Sequence, residues 1–143
     1  MATEAKLRQL ADKGCPVYYF YSSERYLVRQ AVAAATRILT ADSDEDATVL
    51  DGAAPEIEQL IMAAGTISFF GTRRVVVLPE IDPAAYSDKD LEELNSTLSS
   101  LENAVVVLGS VFELERSKLK TGKRAQKLIA QCKALGYTEE LAK

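Results

Sequence analysis

Residues 56–82 read EIEQLIMAAGTISFFGTRRVVVLPEID, and this stretch decides how the fold is interpreted. Its first half predicts a helix over residues 56–66, because four apolar residues recur at the three- and four-residue spacing of one helix face. These residues are Ile57, Leu60, Ile61 and Ala64. A short run rich in valine follows and predicts a strand over residues 75–78. A helix followed directly by a buried strand is half of the repeating unit of an α/β fold.

Between this helix and this strand, Ile67, Phe69 and Phe70 arrive together just before Gly71. The end of a helix can bury only part of such a cluster against its own sheet. We therefore expect the remaining apolar surface near the two phenylalanines to bind another protein.

The rest of the chain alternates between the same two kinds of element. The predicted strands cover residues 17–21, 47–50, 75–78, 104–108 and 134–137. The predicted helices cover residues 4–12, 24–40, 56–66, a leucine-rich segment that begins after Ser87, and 116–132. Alternation at lengths suited to right-handed crossovers predicts a three-layer α/β domain with a parallel sheet of about five strands.

Several local details of these elements are also predicted. Ser22 or Ser23 is expected to cap the helix over residues 24–40, and Ser87 with Asp90 forms a capping-box pattern. The expected buried stripes are Leu27, Ala31, Ala34 and Ile38 in residues 24–40; Leu91, Leu94, Leu98 and Leu101 in the helix after Ser87; and Leu119, Leu128 and Ile129 in residues 116–132.

The composition excludes several classes of function. The 143 residues fit one domain, and a net charge of −4 argues against nucleic-acid binding by this domain alone. The sequence has no histidine, and Cys15 and Cys132 are not spaced as metal ligands, so we expect free thiols and no metal. No apolar run approaches the roughly 20 residues of a membrane span. The first ten residues lack the apolar core of a secretory signal, so we expect a cytoplasmic protein.

Parallel sheets of this kind often bind nucleotides, but the sequence lacks a phosphate loop. The turn after the first strand is Ser22-Ser23-Glu24-Arg25, which has no glycine to bring backbone N–H groups onto a phosphate. A Thr-Gly-Lys-Arg run at residues 121–124 lacks the upstream glycine and the hydroxyl that would hold magnesium. A receiver domain would need acidic residues at the end of the first strand, where this chain has Tyr21 and Ser22. We therefore expect no cofactor and no catalytic residue.

Four motifs in order carry a family resemblance: YYFYSSERYLVRQA, VLDG, ISFFGTRRVVVLPEID and SDKDLEELNSTLSSLENAVVVL. With this order the chain resembles the delta subunit of the bacterial DNA polymerase III clamp loader, over nearly its whole length. The most specific parts are the aromatic strand followed by residues 24–27, and the Phe-Phe-Gly element followed by two arginines and a valine-rich strand.

The resemblance implies that residues 1–143 form an N-terminal AAA+-like domain whose nucleotide site has degenerated, without the family's lid and collar domains. It implies a non-catalytic subunit that binds the ring-shaped sliding clamp, beta, and helps to open it during DNA replication. The clamp contact would fall on Phe69 and Phe70, which follow Ser68, with Ile67 in the same apolar wedge. The full-length protein would join other clamp-loader subunits and would meet DNA only indirectly.

Some assignments remain open on the sequence. Arg73 and Arg74 are expected either to contact acidic clamp residues or only to keep this edge hydrated. The basic residues Lys118, Lys120, Lys123, Arg124 and Lys127 are expected to face solvent, with DNA or a partner subunit as the alternative. A nucleotide-binding α/β enzyme domain and a protein-interaction domain of unrelated role are the alternative functions.

Overall fold

The computed structural model describes residues 3–41, 43, 45–65 and 73–142. Its α-helices are α1 (Glu4–Asp12), α2 (Arg25–Thr40), α3 (Ile57–Gly65), α4 (Asp88–Ser99) and α5 (Gly122–Leu135), and a 3₁₀ helix spans Pro83–Ala85. Its strands are β1 (Val17–Ser22), β2 (Thr48–Val49), β3 (Arg74–Leu78), β4 (Ala104–Val111), β5 (Leu114–Glu115), β6 (Lys118–Leu119) and β7 (Tyr137–Glu140).

The main sheet has five strands in the order β2-β3-β4-β1-β7, and every pair in it is parallel. The register places Val106 of β4 between Val17 of β1 and Val76 of β3. Strands β5 and β6 form a separate antiparallel hairpin. The predicted fold class, an α/β domain with a parallel sheet of about five strands, is confirmed.

Strand β1 shows why the sheet has helices on both faces. Val17 and Tyr19 lie in one buried cluster with residues of α3, α4 and α5. Tyr18 and Phe20 lie in a second buried cluster with residues of α1 and α2. Since neighbouring side chains of a strand point to opposite faces, an unbroken apolar run needs a helical layer on each side.

Gly109 of β4 lets three elements approach one another closely. A Cβ atom built on Gly109 would lie 2.4 Å from the carbonyl oxygen of Pro79 and 2.8 Å from Cγ1 of Val28. The backbone N–H of Ile81 donates to the carbonyl of Gly109 at 2.8 Å. The absent side chain therefore allows α2 and the segment after β3 to pack directly on β4.

The buried face of α2 differs from the predicted one. The fully buried residues are Val28, Ala31, Val32 and Ala35. Of the predicted stripe, only Ala31 is fully buried, and Leu27, Ala34 and Ile38 pack at the margin of the same cluster. The helix carries more apolar residues than one stripe holds, so spacing alone did not select the face.

The N-cap of α2 also differs from the predicted Ser22 or Ser23. The N-cap is Glu24, whose side chain makes no capping hydrogen bond. The hydroxyl of Ser22 accepts from the N–H of Glu24 at 3.1 Å, just before the helix begins. The predicted cap of α4 is confirmed, because the hydroxyl of Ser87 accepts from the N–H of Asp90 at 3.1 Å.

Three further predictions need correction. In α3, Ile57 and Leu60 are buried, but the side chain of Ile61 is 52% exposed. The predicted helix over residues 116–132 is instead the β5–β6 hairpin followed by α5, which begins at Gly122. Leu128 is buried and Ile129 packs beside it, whereas Leu119 belongs to the hairpin. Residues predicted as a fifth strand over 134–137 end α5, and the strand lies later, as β7.

Candidate functional site

The predicted clamp contact, Ile67, Phe69 and Phe70, lies outside the described residues. The elements before and after it in the sequence are described: α3 ends at Gly65, and β3 begins at Arg74. In the sequence, the contact therefore lies between the end of α3 and the start of β3. Its assignment to a binding site remains a prediction.

Arg73 and Arg74 are the predicted rim residues, and both make contacts within the chain. Arg74 forms an ion pair with Glu45, and its Nη2 donates to the hydroxyl of Thr48 at 3.1 Å. Its side chain is only 20% exposed. Arg73 Nη2 donates to the carbonyl of Ala104 at 3.2 Å. These contacts tie the start of β3 to β4 and to the segment around β2, so Arg74 has a structural role in the unbound domain.

A thiol lies near Arg73. The Sγ of Cys15 donates to the carbonyl of Val17 at 3.3 Å, and burial raises the pKa of this thiol more than the charge of Arg73 lowers it. The thiolate is the nucleophilic form of cysteine, so this environment does not activate Cys15 for catalysis.

Exposed apolar side chains flank the predicted contact on α3. Ile61 is 52% exposed and Met62 is 71% exposed, although both belong to a helix otherwise anchored in the core. Ile61 and Gly65 also line a shallow groove between the ends of α3 and α4, with Leu101 on its far wall. The sequence pattern assigned Ile61 to the core and gave no special place to Met62.

The opposite edge of the sheet holds the position where a phosphate loop would bind a nucleotide. There, Nε of Arg25 donates to Oε1 of Glu80 at 2.7 Å, and its Nη2 donates to Oε2 at 3.0 Å. The hydrogen bonds from Arg25 are the main reason that the pKa of Glu80 is below its ordinary value. The pair joins the first turn of α2 to the segment after β3. Glu80 already accepts from Nε and Nη2 of Arg25, so these donors are not free to bind a phosphate.

A buried hydroxyl network lies beneath this edge. The hydroxyl of Ser110 lies 2.7 Å from the hydroxyl of Tyr19 and donates to the carbonyl of Ile81 at 2.8 Å. Ser110 is fully buried, and burial raises the pKa of Tyr19 far above its ordinary range. The network is satisfied within the chain, so its role is structural.

The basic residues near the end of the chain are divided between the hairpin and α5. Lys118, Lys120, Lys123 and Lys127 are exposed, as the solvent-facing interpretation predicted. Arg124 instead donates to Asp88 at 2.9 Å, which joins α5 to the start of α4. Exposure alone does not show whether these lysines have a partner.

The described residues contain no cluster of three or more His, Cys, Asp or Glu side chains arranged to hold a metal ion. In this described part of the chain, no helix has both the length and the apolar character that a membrane crossing requires.

Comparisons with known proteins find similarity to solved structures. No protein-family model matches the sequence. No curated protein matches it either. Twelve chains of solved structures match. One is the crystal structure of a DNA polymerase III gamma subunit-related protein from Thermotoga maritima, with a TM-score of 0.69 and 13% identity.

That alignment covers 99% of this chain and 46% of the Thermotoga chain. This chain therefore spans less than half the length of its structural relative. At this identity the likeness shows the fold alone. The domain therefore shares the α/β fold of the aligned part of the Thermotoga chain, with a parallel five-stranded sheet.

Proposed function

We propose that this domain is the clamp-binding part of a clamp-loader subunit, which uses Ile67, Phe69 and Phe70 as an apolar wedge. The observation that carries the proposal is the clamp-loader-like fold of a chain whose nucleotide position holds the Arg25–Glu80 ion pair. A fold of this type without a phosphate loop fits a subunit that binds a partner and does not hydrolyse ATP. The resemblance to the delta subunit implies a partner contact at Ile67, Phe69 and Phe70, which follow α3 in the sequence.

The expected energetics agree with a contact centred on the two phenylalanines. Fully burying one phenylalanine contributes roughly 1.5–3 kcal/mol, so two contribute about 3–6 kcal/mol. A micromolar complex needs about 8 kcal/mol of net binding free energy. The pair can therefore be the hot spot, while neighbouring apolar groups supply the remainder. Ile61 and Met62, both exposed on α3, are suitable neighbours.

The proposed mechanism is a shift of a conformational equilibrium. A wedge that binds the open or strained ring more tightly than the closed ring favours opening by the difference between the two affinities. No bond is made or broken by this domain. Partner subunits of the loader that bind ATP would control when the wedge is available.

The test is a calorimetric titration of the domain with its cognate sliding clamp. We expect Phe69→Ala/Phe70→Ala to weaken binding by at least about thirtyfold, as hot-spot residues do. The matched control is Leu114→Ala, because Leu114 is a large apolar residue that is 59% exposed on the distant hairpin. This control should bind like the wild type.

Circular dichroism and thermal unfolding must show that the variants remain folded. Unchanged affinity of the folded double variant would reject the site assignment. Absence of clamp binding by the wild type would reject the function. Saturable ATP binding by the wild type would instead favour the alternative, a nucleotide-binding enzyme domain.

A further inference from the structure

An apolar groove lies beside β2. Helices α3, α4 and α5 pack against one face of the sheet, but only α1 and α2 pack against the other. On that second face α2 lies over β1, β3 and β4, whereas β2 packs closely only against β3. The described part of the chain therefore leaves this margin of the sheet uncovered.

We call this feature the β2-side groove. It is lined by Arg29, Val32, Ala33, Thr36, Arg37, Val49, Val77 and Pro79. Its floor is apolar sheet surface, where the side chain of Val49 is 52% exposed. Val49 is not an isolated exposed residue, because it adjoins the other apolar residues that line the groove, and contiguous apolar surface is typical of interaction sites.

The wall of the β2-side groove is a single stripe of α2. Its centre is formed by Val32, Ala33 and Thr36. Its two ends are formed by Arg29 and Arg37. The spacing is that of one helix face. Small side chains at the centre would allow a second helix to approach to the usual interaxial distance of about 8–10 Å.

The two arginines give the groove a defined charge pattern. They are eight residues apart on α2, which corresponds to about 12 Å along the helix axis. Arg37 pairs with Glu4, but both side chains are more than half exposed, so this pair contributes little to stability. Arg29 helps to lower the pKa of Glu80, yet no ion pair joins it to a carboxylate among the described residues.

We propose that the β2-side groove binds an amphipathic helix of another protein, whose apolar stripe is flanked by carboxylates seven or eight residues apart. Such a helix would complete the second helical layer over β2. Its carboxylates would meet Arg29 and Arg37, while its apolar side chains would cover Val49 and Val77.

A second copy of this chain fits the groove less well. The amphipathic helices α1 and α4 already use their apolar residues in the core, as Leu7, Leu91 and Leu94 are buried. Neither helix could present an apolar stripe to a neighbouring copy without leaving its own domain. Helix α3 does expose Ile61 and Met62, but its only carboxylate is Glu58, so it lacks the pair of acidic residues that Arg29 and Arg37 would meet. The occupant is therefore assigned to a different protein.

The probe is a synthetic helical peptide of about four turns, roughly 15 residues, with a Leu/Ala stripe and two glutamates seven residues apart. A matched peptide carries lysines at the two glutamate positions. Each is titrated into the full chain and followed by NMR of the methyl groups. We expect the acidic peptide to shift the signals of Val32, Ala33 and Val49 and to bind at least about tenfold more tightly than the basic peptide.

Charge reversal provides the decisive variant. Arg29→Glu/Arg37→Glu should reverse the preference, so that the basic peptide becomes the tighter ligand. Both arginines are exposed, so the variant should fold. The control Arg116→Glu/Lys120→Glu makes the same change of charge on the exposed hairpin and should leave the preference of the wild type unchanged.

Four results would overturn the proposal. Equal affinity for the two peptides would reject the charge pattern, and signal changes confined to another surface would reject the site. A concentration-dependent dimer that Arg29→Glu/Arg37→Glu abolishes would identify a second copy as the occupant. A peptide that binds in an extended form and protects the Val49 amide from exchange would identify β2 as a strand-pairing edge, with no place for a helix.

Discussion

The guanidinium of Arg25 holds both carboxylate oxygens of Glu80, with an Nε–Oε1 distance of 2.7 Å and an Nη2–Oε2 distance of 3.0 Å. This two-point contact joins the first turn of α2 to the segment after β3. It crosses the end of the sheet at which parallel α/β folds commonly bind their ligands. At this end of the sheet, the Arg25 guanidinium is therefore paired with a carboxylate of the domain itself.

The first prediction concerns the pH dependence of this pair. The pKa of Glu80 lies below its ordinary 4.5 in the folded domain, chiefly because of the hydrogen bonds from Arg25. Its contribution to stability is therefore present above that ordinary value and is lost as the pH falls through the lower, folded pKa. We expect Arg25→Ala to reduce the free energy of unfolding slightly at pH 7, because the side chains are 54% and 39% exposed.

Urea unfolding at several pH values between neutral and strongly acidic conditions measures this effect. The difference between the wild type and Arg25→Ala should shrink as Glu80 becomes protonated. Glu80→Gln should show a similar small loss near neutral pH. A difference that stays constant over the whole range would assign the effect of Arg25 to packing instead of charge.

The second prediction concerns the buried hydroxyl network. Ser110→Ala would leave the hydroxyl of Tyr19 and the carbonyl of Ile81 without the partner that each now has at 2.7 and 2.8 Å. Leaving a buried polar group unpaired costs about 1–3 kcal/mol, so we expect a loss of about 2–4 kcal/mol in the free energy of unfolding. This loss should exceed that of Arg25→Ala in the same urea measurements.

A double-mutant cycle isolates the network. Tyr19→Phe alone should cost about 1 kcal/mol, because the Ser110 hydroxyl keeps its acceptor. The double variant Tyr19→Phe/Ser110→Ala should lose less than the sum of the two single losses, since no unpaired phenol remains. Strict additivity would mean that the two hydroxyls do not interact in solution.

The sequence predicted the sheet well because its strands are unbroken apolar runs. The predicted strand over residues 17–21 and the observed β1 differ by one residue, and Tyr18, Tyr19 and Phe20 are all buried. The length of the apolar run and the absence of helical spacing predict such a strand without knowledge of the strands beside it. The α1 helix was predicted with its observed bounds for a similar reason, since glycine and proline follow it closely.

Helix faces and the end of the chain were predicted less well. Ile61 continues the helical spacing of Ile57 and Leu60, yet the sheet covers only the latter two, so Ile61 remains largely exposed. Residues 116–121 contain helix-forming lysine, arginine and leucine, but their pairing in a hairpin overrides that preference. The β2-side groove was missed because it depends on which strand is left uncovered, which is a property of the assembled layers.

The third prediction tests this hairpin directly. Its tip consists of Arg116 and Ser117, with φ angles of 53° and 68°. Two-residue hairpin loops with positive φ at both positions favour Asn-Gly, whereas other residues incur a steric cost of about 1 kcal/mol or more. Arg116→Asn/Ser117→Gly should therefore raise the free energy of unfolding by about 1 kcal/mol. In the helix that the sequence pattern favoured, the introduced glycine would instead be destabilising by about 1 kcal/mol.

Thermal and urea unfolding distinguish these two results by their sign. The control Lys120→Asn removes one positive charge from the same exposed segment without changing the turn. It should have little effect on stability. A destabilised Asn-Gly variant beside a neutral control would reject the hairpin.

The fourth prediction compares two glycines in opposite surroundings. Gly109 lies where a Cβ atom would come within 2.4 Å of the Pro79 carbonyl oxygen and 2.8 Å of Val28 Cγ1, and the first of these is backbone that cannot rotate away. At Gly65, the last residue of α3, a Cβ atom built in the same way would have no heavy atom within 4 Å. Gly109→Ala should therefore lower the free energy of unfolding by about 3 kcal/mol, the upper part of the range for overpacked cores.

Gly65→Ala is the matched substitution and should be neutral or raise stability by up to about 1 kcal/mol, because alanine favours the helix. Both variants add one methyl group, so the difference between them combines the space around the two positions with the helix preference of alanine at position 65, which is only about 1 kcal/mol. The pair is measured by urea unfolding at neutral pH. If Gly109→Ala proved as stable as Gly65→Ala, then α2 and the segment after β3 could not lie against β4 as closely as the structure places them.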